Sequence, residues 1–387
     1  MNENNFGKSI RNLWYLDDSV IFLNHGSFGA APKVVIEAAH QYQQRLERQP
    51  LSFFFDEYPE MMKSTIQKLH KFIGASPNSV AFVENASTGI STVLREFCPD
   101  FASGDEILTL NQAYPAIRNA MKYMAEKFQL KYVECNVPFP VYDNKTIIEA
   151  IAAGVTDRTR LAVIDHITSP TGIILPVREI AEMLKSRGVI VAIDGAHAPG
   201  MIPLDIESIG ADFYTGNCHK WLFSPKGAAL LWASEEYRDK LHPLCISLFY
   251  NKGFSEEFLW TGTKNPAPWL AVKDGIEFHQ SLGSDELMKH NHDLAVEARK
   301  LIAGKLNIEI PVPDDFLGSI AALEMKGFNN PTHEDTMKLR FRMLKEFHIE
   351  VPFFDFDGRL WLRFSAQAYN ELEEYAKLAV ALKQMFY

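Results

Sequence analysis

The sequence predicts an α/β protein built on a largely parallel sheet covered on both faces. Three observations carry this expectation. Between residues 80 and 232, short apolar runs alternate with segments of helical period. The run at 189–193 is continuous and β-branched, as strands buried on both faces are. The runs also end in polar residues, and the carboxyl edge of an open α/β sheet is where ligands bind.

In chain order, residues 1–20 read as a polar arm with one aromatic patch, Trp14-Tyr15-Leu16. Residues 21–23 could form a short strand. Asn24-His25-Gly26-Ser27-Phe28-Gly29 then reads as a polar loop whose glycines permit close backbone approach to a ligand, or as a plain connector. Residues 33–48 have helical period. Phe53-Phe54-Phe55 fits a core, a pocket wall or a dimer contact.

Residues 79–95 read as strand, tight turn and helix, with the strand at 80–83. Asn85, Ser87 and Thr88 are helix-starting residues, and Gly89 allows close approach. A helix N-terminus with small hydroxyl residues is a ready anion site, although the motif alone is weak. The strand at 105–111 delivers Tyr114, and 131–137 gives another strand. The strand at 160–164 releases Asp165, His166, Thr168 and Ser169 together, with Pro170 and Gly172 making a turn.

The 189–193 strand closes on Asp194 and Gly195, with His197 three residues on. Asp212-Phe213-Tyr214 leads into Asn217-Cys218-His219-Lys220. From Pro266 the texture changes. Residues 269–281 and 285–306 look helical, and 308–313, 319–324 and 349–352 read as short strands. Leu360, Leu362 and Phe364 alternate with Trp361 and Arg363, and a helix runs from 371 to the end. The expected division is an arm at 1–20, a large domain at 21–265 and a smaller α/β domain at 266–387.

Composition narrows the class. A chain of 387 residues with 47% hydrophobic and 23% charged residues suits a soluble globular protein of two or three domain-sized units. The net charge is −10 and no block of Lys or Arg stands out, so nucleic acid is not an expected partner. Apolar runs such as 227–233 are too short to span a bilayer, and the polar start lacks a signal-peptide core. A cytoplasmic protein with no membrane partner is expected. Cys98, Cys135, Cys218 and Cys245 form no CxxC pair, so neither a metal site nor a redox dithiol is expected. Cys218 reads as a small packing residue despite its place near Lys220.

Asp194 and Lys220 thus each lie just past the end of a buried strand. Either alone would be structural or solvated more often than not. Together they suit pyridoxal 5'-phosphate, which attaches to a lysine amine and needs an acid beside its pyridine nitrogen. The stretches DGAHAPG (194–200) and TGNCHKWLFSPKG (215–227) resemble the class V aminotransferase group of pyridoxal-phosphate enzymes. Within it they are similar to the isopenicillin N epimerase-like branch, which includes C–S lyases such as hercynylcysteine sulfoxide lyase. The resemblance runs from about Asn24 to Asn370. Its paired motifs are specific to the group and much less specific to one reaction.

The resemblance implies the aspartate-aminotransferase-like fold (fold type I), a large domain with a smaller C-terminal one. It implies that Lys220 holds the cofactor and then serves as acid and base at Cα. Asp194 would keep the ring nitrogen charged, and His197 would contact the ring's phenolic side. Ala86, Ser87 and Thr88 would cradle the phosphate, with Asn217 and His219 adding contacts. Tyr114 would stack on the ring, and Thr168 and Ser169 would face the phenolic oxygen and substrate. Asn24, His25 and Gly26 would contact substrate, and Arg363 would grip its α-carboxylate. Thr263 would reach the phosphate of a neighbouring subunit, which implies a homodimer.

Three reactions share a common start at Cα: epimerisation, loss of a β-sulfur group, and sulfur abstraction by a protein cysteine. The last needs a nucleophilic cysteine well after the lysine. The 142 residues beyond Cys245 (387 − 245) contain none, which argues against a desulfurase. An aminotransferase is also less expected. Elimination asks only for a β-leaving group, whereas epimerisation also needs a proton delivered to the second face, and no residue identifies itself as that acid. A C–S lyase is therefore expected ahead of an epimerase. A non-catalytic binding protein of the same fold is the rival from another class, and the joint presence of Lys220, Asp194 and Arg363 speaks against it.

Overall fold

The computed structural model describes residues 6–328 and 330–386, so the first five positions of the expected arm lie outside the described residues. In chain order the strands are β1 (Ile21–Phe22), β2 (Val80–Val83), β3 (Glu106–Leu110), β4 (Lys131–Cys135), β5 (Thr159–Asp165) and β6 (Ile190–Asp194). They continue as β7 (Phe213–Asn217), β8 (Ala229–Ala233), β9 (Ile320–Met325), β10 (Ile349–Glu350), β11 (Phe353–Phe356) and β12 (Arg359–Ser365).

The expected α/β architecture is present. The main sheet has seven strands in the order β2-β8-β7-β6-β5-β3-β4. Strands β4, β3, β5, β6 and β7 pair in parallel. Strand β8 is antiparallel to both β7 and β2, so it alone runs against the others. The continuous apolar runs follow from burial of both faces. Ile107, Leu161, Val163, Ala192 and Phe213 pack with the helices Ala86–Phe97 and Pro115–Phe128. Their neighbours Leu108, Ala162, Ile164, Val191, Ile193 and Tyr214 face the opposite core, shared with the helices Asn144–Ala153 and Val177–Lys185.

The C-terminal part forms a three-stranded antiparallel sheet in the order β11-β12-β9. Helices Ser284–Leu306 and Leu372–Phe386 pack together beside it. The N-terminal segment is tied to this part rather than hanging free. Strand β1 pairs in parallel with β10, Ile21 opposite Ile349. Trp14, almost fully buried, sits edge-on to Phe278 and Tyr369.

Several local expectations differ from the structure. Residues 24–29 are not an open loop: His25–Phe28 is one helical turn. Residues 308–313 form no strand. Pro311 and Pro313 have no N–H to donate to a ladder, and the carbonyls of Pro311 and Val312 accept from Val141 N and the Arg299 guanidinium. The expected helix at 269–281 is two helices, Ala267–Leu270 and Val272–Ser281. The strand expected at 349–352 covers only its first two residues. Among the described residues no helix is long and apolar enough to cross a membrane, and no cluster of side chains has metal-ligand geometry.

Candidate active site

The carboxyl edge of the main sheet gathers the site. Strands β5, β6 and β7 end in Asp165, Asp194 and Asn217, and β2 leads directly into the Ala86–Phe97 helix. Asp194 is buried and accepts a hydrogen bond from the Ala196 backbone N–H at 3.0 Å. Burial raises its proton affinity, while that N–H and the nearby Lys220 cation hold it down.

Lys220 Nζ lies 3.1 Å from His197 Nε2. The Trp221 indole N–H donates to His197 Nδ1 at 3.4 Å, so the imidazole proton resides on Nε2 and points at the lysine nitrogen. A neutral amine accepts that proton, and an ammonium cannot. Burial first, and the Arg363 charge second, lower the Lys220 amine to about 7, with Asp194 acting the other way. His197 is itself held well below the ordinary imidazole range, by burial and then by the Lys220 charge.

The helix beginning at Ala86 is capped by Asn85, whose carboxamide oxygen accepts from Thr88 N at 2.9 Å. Asn217 Oδ1 accepts from Ala86 N at 2.9 Å and so ties the end of β7 to the helix start. Gly89 sits where a Cβ would collide with the Thr215 side chain, so a glycine lets the helix lie close on β7. Ala86, Ser87 and Thr88 thus form a helix N-terminus at the sheet edge, as an anion cradle requires. His219 Nδ1 pairs with the Ala228 carbonyl at 3.0 Å, and burial lowers this imidazole to about 4.

Arg363 is 2% exposed on β12. One terminal nitrogen donates to the Ser169 carbonyl, and the other donates to Ser27 Oγ at 2.8 Å. The guanidinium lies 4.6 Å from the Phe354 ring centroid, and its Nε is buried without a partner. Among the described residues no carboxylate forms an ion pair with it. Desolvation lowers it to about 10, so it remains a cation at neutral pH, and Tyr114 is near enough to oppose that shift. Tyr114 itself is 46% exposed at the start of the Pro115–Phe128 helix.

Some expected contacts are engaged elsewhere. The Thr168 hydroxyl is fully buried and bonded to Thr171 Oγ1 at 2.6 Å and to the Ile173 N–H at 3.1 Å, inside its own turn. His25 is 1% exposed, with one ring nitrogen on the Lys220 carbonyl and the other on the Tyr369 hydroxyl. The Gly26 N–H donates to Ser365 Oγ at 2.9 Å. Asn24 Oδ1 accepts from Ser27 at 2.6 Å. Thr263 lines a cleft of about 500 Å³ with Asn85, Thr88, Cys245 and Lys264, beside the cradle.

Ser27, Trp221, Phe354 and Tyr369 carry no sequence signal of a role at the site. Ser27 and Trp221 lie inside motifs already quoted, but their partners are remote in sequence. The assembled groups fit a phosphorylated pyridine aldehyde: a buried carboxylate, a neutral amine, a helix N-terminus, and an unpaired cation for a second anion.

The family model described as aminotransferase class-V matches residues 21–342. A probable L-cysteine desulfhydrase of Arabidopsis thaliana is 30% identical, covering 93% of this chain and 82% of its own. The isopenicillin N epimerase of Amycolatopsis lactamdurans is 31% identical, covering 96% of each. The hercynylcysteine sulfoxide lyase of Schizosaccharomyces pombe is 26% identical, covering 99% of each. Among solved structures, a cysteine desulfurase from Thermococcus onnurineus superposes with a TM-score of 0.82 at 20% identity, covering 100% of this chain and 99% of that one.

Proposed function

Because the chain belongs to the class V aminotransferase family of pyridoxal-phosphate enzymes, we propose that it is a C–S lyase, releasing a β-sulfur group from a cysteine conjugate or cysteine sulfoxide. The cofactor, when bound, accepts the electrons left at Cα. The chain's own residues do the rest. Arg363 binds the substrate α-carboxylate and fixes its rotation, since two parallel N–H donors define a plane. Asp194 remains ionised beside the ring nitrogen. The Ala86 helix start and Ser87 hold the phosphate. Lys220, whose amine gives up its own proton at about pH 7, takes the Cα proton in its neutral form.

One observation carries the lyase reading. His25 and His197 are buried and His219 is half-buried, and all three are neutral near pH 7. His25, His197 and His219 are held to about 3, well below the usual range, and about 4 respectively, in each case first by burial. Each is also hydrogen-bonded. Lys220 is then the one basic group that exchanges a proton at Cα, and β-elimination asks for no second one there. The L-cysteine desulfhydrase and sulfoxide lyase relatives support this reading.

Epimerisation is the second reading, supported by the 31% identical epimerase. It needs a proton carrier on the other side of Cα, and the exposed phenol of Tyr114 near Arg363 is the candidate. Incubation in D2O with S-alkyl-L-cysteine sulfoxides, L-cysteine and other L-amino acids decides between them. A lyase yields pyruvate with retained activity in Tyr114→Phe. An epimerase yields deuterium-labelled D-amino acid without pyruvate and loses it in that variant.

The proposed assembly is a homodimer in which Thr263 serves the partner's phosphate site. The proposed division is a large domain at 21–265, which contains Lys220, and a small one at 266–387, which contains Arg363.

A further inference from the structure

We infer that the single helical turn His25–Phe28 positions the two groups that act on the substrate, His25 setting Lys220 and Ser27 setting Arg363, without itself touching the substrate. This rests on the amino-acid reading above.

His25 has no atom left for a ligand. Its Nε2 is 3.0 Å from the Lys220 carbonyl oxygen, and a carbonyl only accepts. The proton is therefore on Nε2. Nδ1 then carries a lone pair and accepts from the Tyr369 hydroxyl at 2.8 Å. The ring is sealed between Trp221, centroid to centroid 4.9 Å, and Phe223 at 5.8 Å. Just past the turn, Gly29 has φ +70, and any Cβ there would run into the carbonyl of His219. The turn thus lies directly on the backbone that carries the lysine. A hydrogen bond to the Lys220 carbonyl fixes where the side chain starts and hence where Nζ can reach.

Ser27 does the matching work for the arginine. A hydroxyl has one proton and accepting lone pairs. Here the proton goes to Asn24 Oδ1 at 2.6 Å, and a lone pair receives the Arg363 terminal N–H at 2.8 Å. This orients the fork. The turn is anchored in turn by the Gly26 N–H on Ser365 Oγ at 2.9 Å, two residues along β12 from Arg363. Asn24 reaches Glu350 at 3.5 Å, and Arg340 grips both oxygens of Glu350 at 2.9 and 3.0 Å. One short segment thereby sets the distance between proton carrier and carboxylate clamp, and a misplacement of about 1 Å can cost a hundredfold in rate.

The two residues separate kinetically. Ser27→Ala frees the fork without moving the lysine, so KM for the best S-alkyl-L-cysteine sulfoxide or L-cysteine rises about tenfold while kcat falls much less. His25→Phe releases the lysine loop without moving the clamp, so kcat falls about tenfold or more while KM holds. His25→Gln keeps an N–H within reach of the carbonyl and recovers part of that loss. Independently of turnover, cofactor-free His25→Phe takes up pyridoxal 5'-phosphate more slowly than wild type, and Ser27→Ala does not. A turn that only supports the fold would lower kcat, raise KM and lower Tm together in both variants, with no recovery in His25→Gln. That result overturns the inference while leaving the amino-acid reading in place. If wild type processes no L-amino acid or conjugate at all, that reading and the inference fall together.

Discussion

Asp165 and Asp194 are register partners at the carboxyl ends of adjacent parallel strands, so two buried carboxyls stand side by side on one face of the sheet. Two carboxyls so close in a dry site do not both ionise readily. Burial raises both. Asp194 is relieved by the Ala196 N–H and by the Lys220 charge, whereas Asp165 is raised further by Asp194. Asp165 therefore keeps the proton and Asp194 is the anion.

The first prediction follows from that division. Asp165→Asn replaces one neutral polar side chain with another and should keep kcat/KM within roughly threefold. Asp194→Asn removes the anion and should cost about two decades or more, at about 1.36 kcal/mol per decade. Stability separates them as well. A carboxyl raised in the folded state contributes stability that is present below its unfolded pKa and lost as pH rises through its folded pKa. Cofactor-free Asp165→Asn should therefore lose less Tm than wild type as pH is raised from about 4 towards neutrality. Parallel Tm profiles for the two proteins would show that Asp165 is already ionised.

Lys220 gives a pH prediction that needs no turnover. Only a neutral amine attacks an aldehyde, and the Lys220 amine is lowered to about 7. The rate at which cofactor-free protein takes up pyridoxal 5'-phosphate should rise with pH and level off above about 7. Arg363 is the second cause of the lowering, so Arg363→Met should move this midpoint upward. Borohydride reduction should then fix the cofactor on the peptide containing Lys220. A wild-type midpoint near the ordinary lysine value would contradict the neutral amine.

The assembly prediction concerns the loop that carries Leu244, Ile246, Leu248 and Tyr250, all more than two-fifths exposed. A contiguous apolar segment facing water marks an interface. Light scattering should give about twice the chain mass of 43.9 kDa. Mixing Lys220→Ala with Thr263→Ala subunits should restore activity, because one site of the hybrid has both residues intact. No restoration in an exchanging dimer would place Thr263 in its own chain's site.

The sheet and the acid–amine pair were legible because each depends on local pattern. Continuous apolar runs reveal strands buried on both faces, and a strand's last residue is its ligand-facing one. The alternation along β12 left Arg363 open to being a surface charge, and only the resemblance to the class V group supplied its role, because β12 is buried on both faces. The role of His25 was not legible, since its partner Lys220 is 195 positions away and the bond goes to a backbone carbonyl, which leaves no trace in residue type. Thr168 shows the converse. A hydroxyl beside the site can serve a ligand or close its own turn, and here Thr171 and Ile173 claim it. The 308–313 segment has the apolar residues of a strand, but Pro311 and Pro313 cannot give the donors a ladder needs.

Arg363 offers the sharpest test of whether the site works on amino acids. A buried cation is costly unless it is paired. This one has a carbonyl, a hydroxyl and an aromatic face, but among the described residues no carboxylate, and its Nε makes no bond. The protein thus carries a charge whose natural partner is a ligand anion. Arg363→Lys keeps the charge and loses the fork, so kcat/KM should fall about tenfold or more. Arg363→Ala should be worse, since losing one partner of a desolvated charge pair costs about 2–5 kcal/mol. The visible absorbance of the bound cofactor should be unchanged in both. Stability should move the other way: Arg363→Met removes an unpaired buried cation and fills its space, so the Tm of the substrate-free protein should rise while activity collapses. A fall in Tm together with activity would make Arg363 a structural residue, and the carboxylate would then be held elsewhere.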